Sequence, residues 1–163
     1  MSARALVISD THLRPDTIDR LPDQVWREAA VADVILHAGD VVCAELLEAL
    51  ASVAPVCAVL GNNDVGVVDL PTVAEMEIGG VDVAVIHDSG PRKGRERRMH
   101  KRFPEAEVVV FGHSHEPLEA MTEYDQLLFN PGSPTQRRRQ PQCSYGVLVI
   151  GEGRVESSVV LLE

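Results

Sequence analysis

Five apolar runs in this chain of 163 residues each lead directly into residues that can bind a metal ion. The carboxyl ends of parallel strands meet at one edge of a sheet, and open α/β sheets bind their ligands at that edge. Glycines at positions 39, 61 and 112 give the backbone room for the tight turns that follow such strands. We therefore expect one site built from five blocks: Asp10 with His12, Gly39 with Asp40, Gly61-Asn62-Asn63-Asp64, His87 with Asp88, and Gly112-His113-Ser114-His115.

The first half of the chain alternates strand-like and helical segments. Strands are predicted at 5–8, 34–36 and 56–60, and helices near 23–31 and 44–52. This βαβαβ alternation indicates a parallel sheet with helical crossovers. The strand segments are continuously apolar, as expected for strands that are covered on both faces.

The second half is predicted to be richer in hairpins. Strands at 73–78 and 81–86 flank Gly79-Gly80, a two-residue hairpin signal, and a basic helix is predicted near 92–103. Further strands are predicted at 108–111, 118–122, 126–129, 145–150 and 155–162, the last two joined at 151–153. We expect an α/β (α+β) fold, a four-layer αββα sandwich of two mixed sheets flanked by helices, forming a single domain over 1–163.

Composition excludes several classes of protein. A net charge of -10 argues against stable nucleic-acid binding, because such binding neutralises many phosphates with Lys and Arg. No apolar stretch approaches the roughly 20 residues that span a bilayer, so we expect no membrane association and a cytoplasmic location. The three cysteines form no CxxC pair, which argues against a disulfide framework or a thiolate zinc site.

The proposed ligands predict which metals the site prefers. Residues two apart, such as Asp10 and His12 or His113 and His115, can point to the same side when the backbone is extended. A set of imidazoles, carboxylates and one amide, without thiolates, favours Mn, Fe, Zn, Co or Ni over Ca or Mg.

The five blocks also resemble a known family. In order, they are similar to the D-x-H, G-D, G-N-x-D, His and G-H-x-H pattern of the calcineurin-like metallophosphoesterases, particularly the small bacterial and archaeal phosphodiesterase branch. The resemblance runs from Val7 to Ser133 and includes Asn130-Pro131-Gly132-Ser133, which is similar to the N-P-G-S segment of the family. It implies a dinuclear-metal phosphoesterase, and we expect a phosphodiesterase that hydrolyses a small phosphate ester.

The resemblance also implies a role for each position. One metal would be held by Asp10, His12 and His115, the other by Asn62, His87 and His113, with Asp40 bridging the two. We expect two divalent ions, manganese first, with Ni, Fe, Zn or Co as alternatives. A metal-bridged hydroxide would attack the phosphorus, and the residues implied in catalysis are Asp40, Asn63, Asp64 and His87.

The chain departs from the family pattern at two places. Many members carry at position 63 a histidine that can protonate the leaving group, whereas this chain carries Asn63. Related small phosphodiesterases often have H-G-H where this chain has His87-Asp88-Ser89. Asp64 is retained and could orient a ligand histidine.

Other polar residues have less specific interpretations. Most basic residues lie in segments 92–102 and 137–139, which we interpret as solvated surface. The alternative is that an arginine there borders the site and binds a substrate phosphate. We expect His37 to support the ligands without binding metal, and His100 to be solvated. Asn130 is either a turn residue or a group that lines the site.

Two other functions remain as alternatives. A eukaryotic retromer subunit has the same fold and works mainly through protein contacts, so a metal-binding interaction scaffold is one of them. A nuclease is the other, although nucleases of this fold are longer and carry DNA-binding additions. The expected partner is a small phosphate-ester substrate, and a homodimer or homotetramer is left open.

Overall fold

The computed structural model describes residues 1–163 and contains ten strands, three α-helices and one 3-10 turn. The helices are α1 (Asp23–Val31), α2 (Ala44–Ala51) and α3 (Arg95–Arg102), and the 3-10 turn is Ile18–Arg20. None of the helices is long and apolar enough to cross a membrane. The strands are β1 (Ser2–Ile8), β2 (Val34–His37), β3 (Val56–Ala58), β4 (Val73–Ile78), β5 (Val81–Ile86), β6 (Val108–Val110), β7 (Leu118–Met121), β8 (Leu127–Asn130), β9 (Ser144–Gly151) and β10 (Arg154–Leu161).

The first sheet has the strand order β10-β9-β1-β2-β3. Strands β1, β2 and β3 are parallel, with α1 and α2 as the crossovers, so the predicted βαβαβ unit is confirmed. The hairpin of β9 and β10 returns to this sheet and pairs antiparallel with β1. The sheet is therefore mixed, as predicted.

The second sheet has the order β4-β5-β6-β8-β7. The predicted hairpin at Gly79-Gly80 joins β4 and β5. At the centre of the sheet, however, β5, β6 and β8 are parallel, because α3 crosses over between β5 and β6 and the edge strand β7 precedes β8. The second half therefore contains fewer hairpins than its sequence suggested.

Three buried apolar clusters hold four layers together, which confirms the predicted αββα sandwich. The first lies between the sheets and includes Val7, Leu36 and Phe129. The second packs α1 and α2 on the first sheet, and the third packs α3 on the second sheet through Met99 and its neighbours. Burying each large side chain contributes roughly 1.5–3 kcal/mol. The same packing reaches the polar loops, because Val41 belongs to the second cluster.

The polar blocks of both sheets meet at one edge of the sandwich. The His87 ring, after β5, contacts the backbone carbonyl of Ala38, after β2, with Nδ1 and O 2.7 Å apart. The backbone nitrogen of His113, after β6, donates to Asp10 Oδ2 at 3.0 Å. The predicted convergence of strand ends is confirmed, but two facing sheets contribute to it rather than one.

Candidate metal centre

The backbone is unusual at five of the seven residues proposed as ligands. Asp10, His12, Asp40, His113 and His115 have φ values of 55°, 47°, 58°, 71° and 61°. Non-glycine residues rarely adopt this left-handed region, and each such residue costs of order 1–3 kcal/mol. The predicted extended backbone is therefore wrong at both pairs two apart. Surrounding contacts must hold these strained turns in place.

Three buried polar atoms face one another without a hydrogen-bond partner. They are Asp10 Oδ1, His12 Nε2 and His115 Nε2. Asp10 Oδ1 lies 3.5 Å from His115 Nε2 and 3.9 Å from His12 Nε2. Buried polar atoms are almost always paired, whereas ligands about 2.0–2.2 Å from a shared metal ion stand roughly 3–3.5 Å or slightly more apart. The donor set and its spacing therefore fit a divalent cation.

A second group of donors adjoins the first and shares Asp40 with it. Asn62 Oδ1 lies 3.0 Å from His87 Nε2 and 3.2 Å from His113 Nδ1. Asp40 Oδ2 is 3.5 Å from His87 Nε2 and 3.4 Å from His12 Nε2. The structure thus brings all seven predicted ligands together, in two groups that meet at the Asp40 carboxylate.

Backbone carbonyls fix the tautomers of two histidines. His87 Nδ1 donates to Ala38 O at 2.7 Å, and His115 Nδ1 donates to Gln136 O at 2.6 Å. A carbonyl oxygen can only accept, so Nδ1 carries the proton in each neutral ring. The Nε2 lone pair then faces the site and is free to bind a metal ion.

Burial and neighbouring charge shift several pKa values in the centre. Burial lowers the pKa of His115, which favours its neutral, metal-binding form. Burial alone would raise the pKa of Asp40, but contacts with His87 and Asn63 outweigh it and hold this pKa well below its usual range. Burial also opposes charge on His87, yet the Asp40 contact and the Asp10 charge raise its pKa. Metal binding must displace any proton from His87.

Asp64 has partners other than the histidine suggested by the sequence. Its buried carboxylate accepts backbone N–H groups from Gly61 at 2.8 Å, Asp40 at 2.9 Å, Val41 at 3.3 Å and Val42 at 2.8 Å. Asp64 therefore ties the loop that carries Asp40 to the loop after β3. It braces the backbone of Asp40, a proposed ligand, and its hydrogen bonds go to backbone groups rather than to a histidine.

Asn63 contacts Asp40 through both its backbone and its side chain. The backbone nitrogen donates to Asp40 Oδ1 at 2.9 Å and Nδ2 donates to Asp40 Oδ2 at 2.8 Å. Asn63 is an exposed residue, so solvent reaches it beside the Asp40 carboxylate. Its amide can donate hydrogen bonds but cannot act as an acid near neutral pH.

The 130–133 segment holds two of the ligand loops. The buried Asn130 side chain donates to Gly112 O and Ser114 Oγ, both at 3.2 Å, so its position is structural rather than open to substrate. Ser133 Oγ donates to Asp10 O at 2.8 Å. Thr135 Oγ1 adds a bond to Thr11 O at 2.7 Å, and nothing in the sequence singled Thr135 out.

His37 has the supporting place expected for it. Its Nδ1 accepts the Gly39 N–H at 3.1 Å, so Nε2 donates to Thr11 Oγ1 at 3.0 Å. Burial lowers the pKa of His37 to about 3, and the ring is therefore neutral. The imidazole joins the loops that carry Asp10 and Asp40.

The basic helix is less solvated than its sequence suggested. Arg98 donates to Ser89 O at 2.8 Å and to Pro91 O, and the Arg95 guanidinium lies 4.9 Å from the centre of the Phe111 ring. Arg98 thus fastens α3 to the loop after His87, and Arg95 packs α3 against the end of β6. In the second basic segment, Arg138 donates to His113 O at 3.4 Å, which places it beside one of the proposed ligands.

Known proteins resemble this chain over nearly its whole length. Residues 4–153 match the calcineurin-like phosphoesterase superfamily domain. A protein of Methanocaldococcus jannaschii named "Probable metallophosphoesterase" is 40% identical over 160 residues, which cover 96% of this chain and 80% of that protein.

Two solved structures have the same fold at low sequence identity. Vacuolar protein sorting 29 from Cryptosporidium parvum has a TM-score of 0.81 and 18% identity, covering 99% of this chain and 98% of that one. An archaeal phosphodiesterase has a TM-score of 0.71 and 20% identity, covering 96% and 99%. The fold therefore occurs both in a sorting protein and in an enzyme.

Proposed function

This chain belongs to the calcineurin-like phosphoesterase superfamily, and we propose that it is a phosphodiesterase that uses two divalent metal ions to hydrolyse a small phosphate ester. The supporting observation is the pair of donor groups that meet at Asp40, with buried atoms of Asp10, His12 and His115 left unpaired. The similarity to an archaeal phosphodiesterase supports the choice of a diester.

Each metal ion would have its own donors. Asp10, His12 and His115 would hold one, Asn62, His87 and His113 the other, with Asp40 shared. We propose manganese first, and Ni, Fe, Zn or Co as alternatives for the same donors. Two such ions, when bound, polarise a phosphate and make water a nucleophile near neutral pH.

The protein's own groups prepare the site for an anionic substrate. None of the imidazoles carries a negative charge, so the carboxylates of Asp10 and Asp40 are the only anionic groups among the seven proposed ligands. Asn63 holds the Asp40 carboxylate with two hydrogen bonds. Its exposed side chain lies where a phosphate can approach the centre.

The test is hydrolysis of bis(p-nitrophenyl) phosphate and p-nitrophenyl phosphate by metal-stripped protein, with Mn, Ni, Co, Zn or Mg added back. We expect metal-restored turnover with a preference for the diester. Asp40→Ala and His87→Ala should abolish it, and Asp69→Ala, an exposed change outside the site, should not. Preference for the monoester would contradict the diesterase assignment.

A protein-interaction scaffold is the second candidate, and one surface feature favours it. Val65 and Val67, in the loop that follows Asn62, are 71% and 55% exposed. Apolar side chains with this degree of solvent exposure can take part in protein–protein contacts. Tight binding of two metal ions without turnover of any ester would favour this candidate over the enzyme.

The state of the cysteines indicates in which compartment the protein is located. Cys43, Cys57 and Cys143 are all unpaired, as is usual in a reducing compartment. This supports a cytoplasmic location as part of the proposal.

A further inference from the structure

A pocket of about 350 Å³ opens beside His12, one of the proposed metal ligands. Arg14 and Arg20 line it, together with the polar side chains of Thr17 and Gln136, and no acidic residue does. The lining residues therefore carry two positive charges and no negative charge, in a chain whose net charge is -10. A negatively charged group is the natural occupant of this pocket.

Both arginines are available to bind such a group. Arg20 forms no ion pair and is exposed at the end of the 3-10 turn. Arg14 Nε lies 3.4 Å from Asp16 Oδ1, but their side chains are 67% and 76% exposed, and such a surface pair is weak. Thr17 Oγ1 accepts the Arg14 N–H at 2.9 Å and so fixes the loop that carries Arg14.

The pocket on the other side of the centre has a different character. It measures about 290 Å³ and is lined by the ligands Asn62 and His87 together with the apolar side chains of Leu60, Val65 and Ile86. Its two charged residues, Asp88 and Arg102, balance each other. The two proposed metal groups therefore adjoin one cationic pocket and one that is apolar with no net charge.

We propose that the ester cleaved here carries a second anionic group, a phosphate or carboxylate, which Arg14 and Arg20 bind in the pocket beside His12. The uncharged arm of the ester lies in the pocket beside His87. A guanidinium can donate two parallel hydrogen bonds to such an anion, which gives geometric selectivity as well as charge attraction. The inference rests on the proposed hydrolysis and names the class of substrate.

The test compares two probes that differ by one phosphate. The p-nitrophenyl ester of thymidine 5′-phosphate, with and without a 3′-phosphate, is assayed with the manganese-loaded protein. The wild type should show roughly tenfold higher kcat/KM for the 3′-phosphorylated ester. Arg14→Gln/Arg20→Gln should bring the ratio of the two kcat/KM values close to 1, and Arg97→Gln, an exposed arginine on α3, should retain the preference.

Calorimetry separates this inference from the proposed function. Thymidine 3′,5′-bisphosphate should bind the metal-loaded protein roughly tenfold more tightly than thymidine 5′-phosphate, and the double variant should lose that difference. Equal affinities in the wild type, or an unchanged preference in the double variant, would overturn the inference. Absence of turnover with both esters would instead count against the hydrolase, while the calorimetric ratio would still decide whether the arginines select a second anion.

Discussion

Gly61 lies against Asp40 so closely that a Cβ atom at position 61 would overlap both the backbone nitrogen and Oδ1 of Asp40. The φ angle of Gly61 is not in the left-handed region, so space rather than backbone freedom requires glycine here. The loop after β3 can therefore reach the Asp40 carboxylate only because residue 61 has no side chain.

Gly61→Ala should push Asp40 out of the centre and weaken metal binding. We expect the affinity for Mn²⁺ to fall by about tenfold or more, because loss of a residue that only supports a ligand already weakens metal binding by about 10- to 100-fold, and here a proposed ligand would itself be displaced. Calorimetric titration of metal-stripped protein measures it. Gly66→Ala is the control, because position 66 has a positive φ but no atom within 4 Å of an added Cβ. Wild-type affinity in Gly61→Ala would show that the close approach is unnecessary.

Asp64→Asn should reduce stability even though Asp64 is not a proposed ligand. The amide of asparagine can accept hydrogen bonds only at its oxygen, not at its nitrogen. At least one of the four backbone N–H groups would therefore lose its partner inside the protein. A buried group left unpaired costs about 1–3 kcal/mol, and losing the charged acceptor adds to this. Urea unfolding of metal-stripped protein measures the change, with the exposed Asp69→Asn as control. An unchanged free energy of unfolding would contradict the bracing role of Asp64.

The buried His37 should make the metal-stripped protein sensitive to acid. Its pKa is about 3 in the folded protein, against an ordinary value of 6.5. Between these values the unfolded chain binds a proton that the folded protein excludes, so stability falls as pH falls below about 6.5. The contribution of this one group is about 1.4 kcal/mol per pH unit.

Urea unfolding between pH 7 and pH 4 checks this dependence. His37→Gln should flatten the profile, because a glutamine can meet both hydrogen-bond partners and takes up no proton. His100→Gln changes a half-exposed histidine that stacks on Tyr124, and should leave the slope intact. The same slope in His37→Gln as in wild type would assign the acid sensitivity to other groups.

Local sequence signals predicted individual helices and hairpins. Helix α1 occupies the predicted residues 23–31, and the Gly79-Gly80 hairpin lies where its two glycines indicated. These features depend on neighbouring residues along the chain. The parallel pairing of β6 with β8 depends on which distant segment lies alongside, and the local pattern of apolar residues does not specify that.

Within the site, residue types were predictable but local geometry was not. The spacing of Asp10 and His12 identified them as a pair, yet both adopt left-handed backbone rather than the expected extended form. Asp64 binds backbone N–H groups, which every residue except proline possesses, so the sequence does not show which of them will be bound. Strained and backbone-bound positions are where reasoning from side-chain pattern fails, and they are concentrated at this centre.

Asn63→His should place an acid where the present side chain cannot act as one. The exposed Asn63 lies beside the Asp40 carboxylate, where an imidazole could protonate a leaving group. An acid accelerates departure of p-nitrophenolate little, because this anion is already a good leaving group. It accelerates departure of phenolate strongly, because phenol, like the tyrosine side chain, has a pKa of about 10.

The phenyl and p-nitrophenyl esters of thymidine 5′-phosphate make the comparison. We expect Asn63→His to raise kcat for the phenyl ester by about tenfold or more and to change the p-nitrophenyl ester little. The phenyl-ester rate should also decline at high pH, as the new imidazole loses its proton. Asn63→Gln keeps an amide without an acid and should accelerate neither ester. Equal acceleration of both esters by histidine would mean that residue 63 acts on binding or on Asp40 rather than on the leaving group.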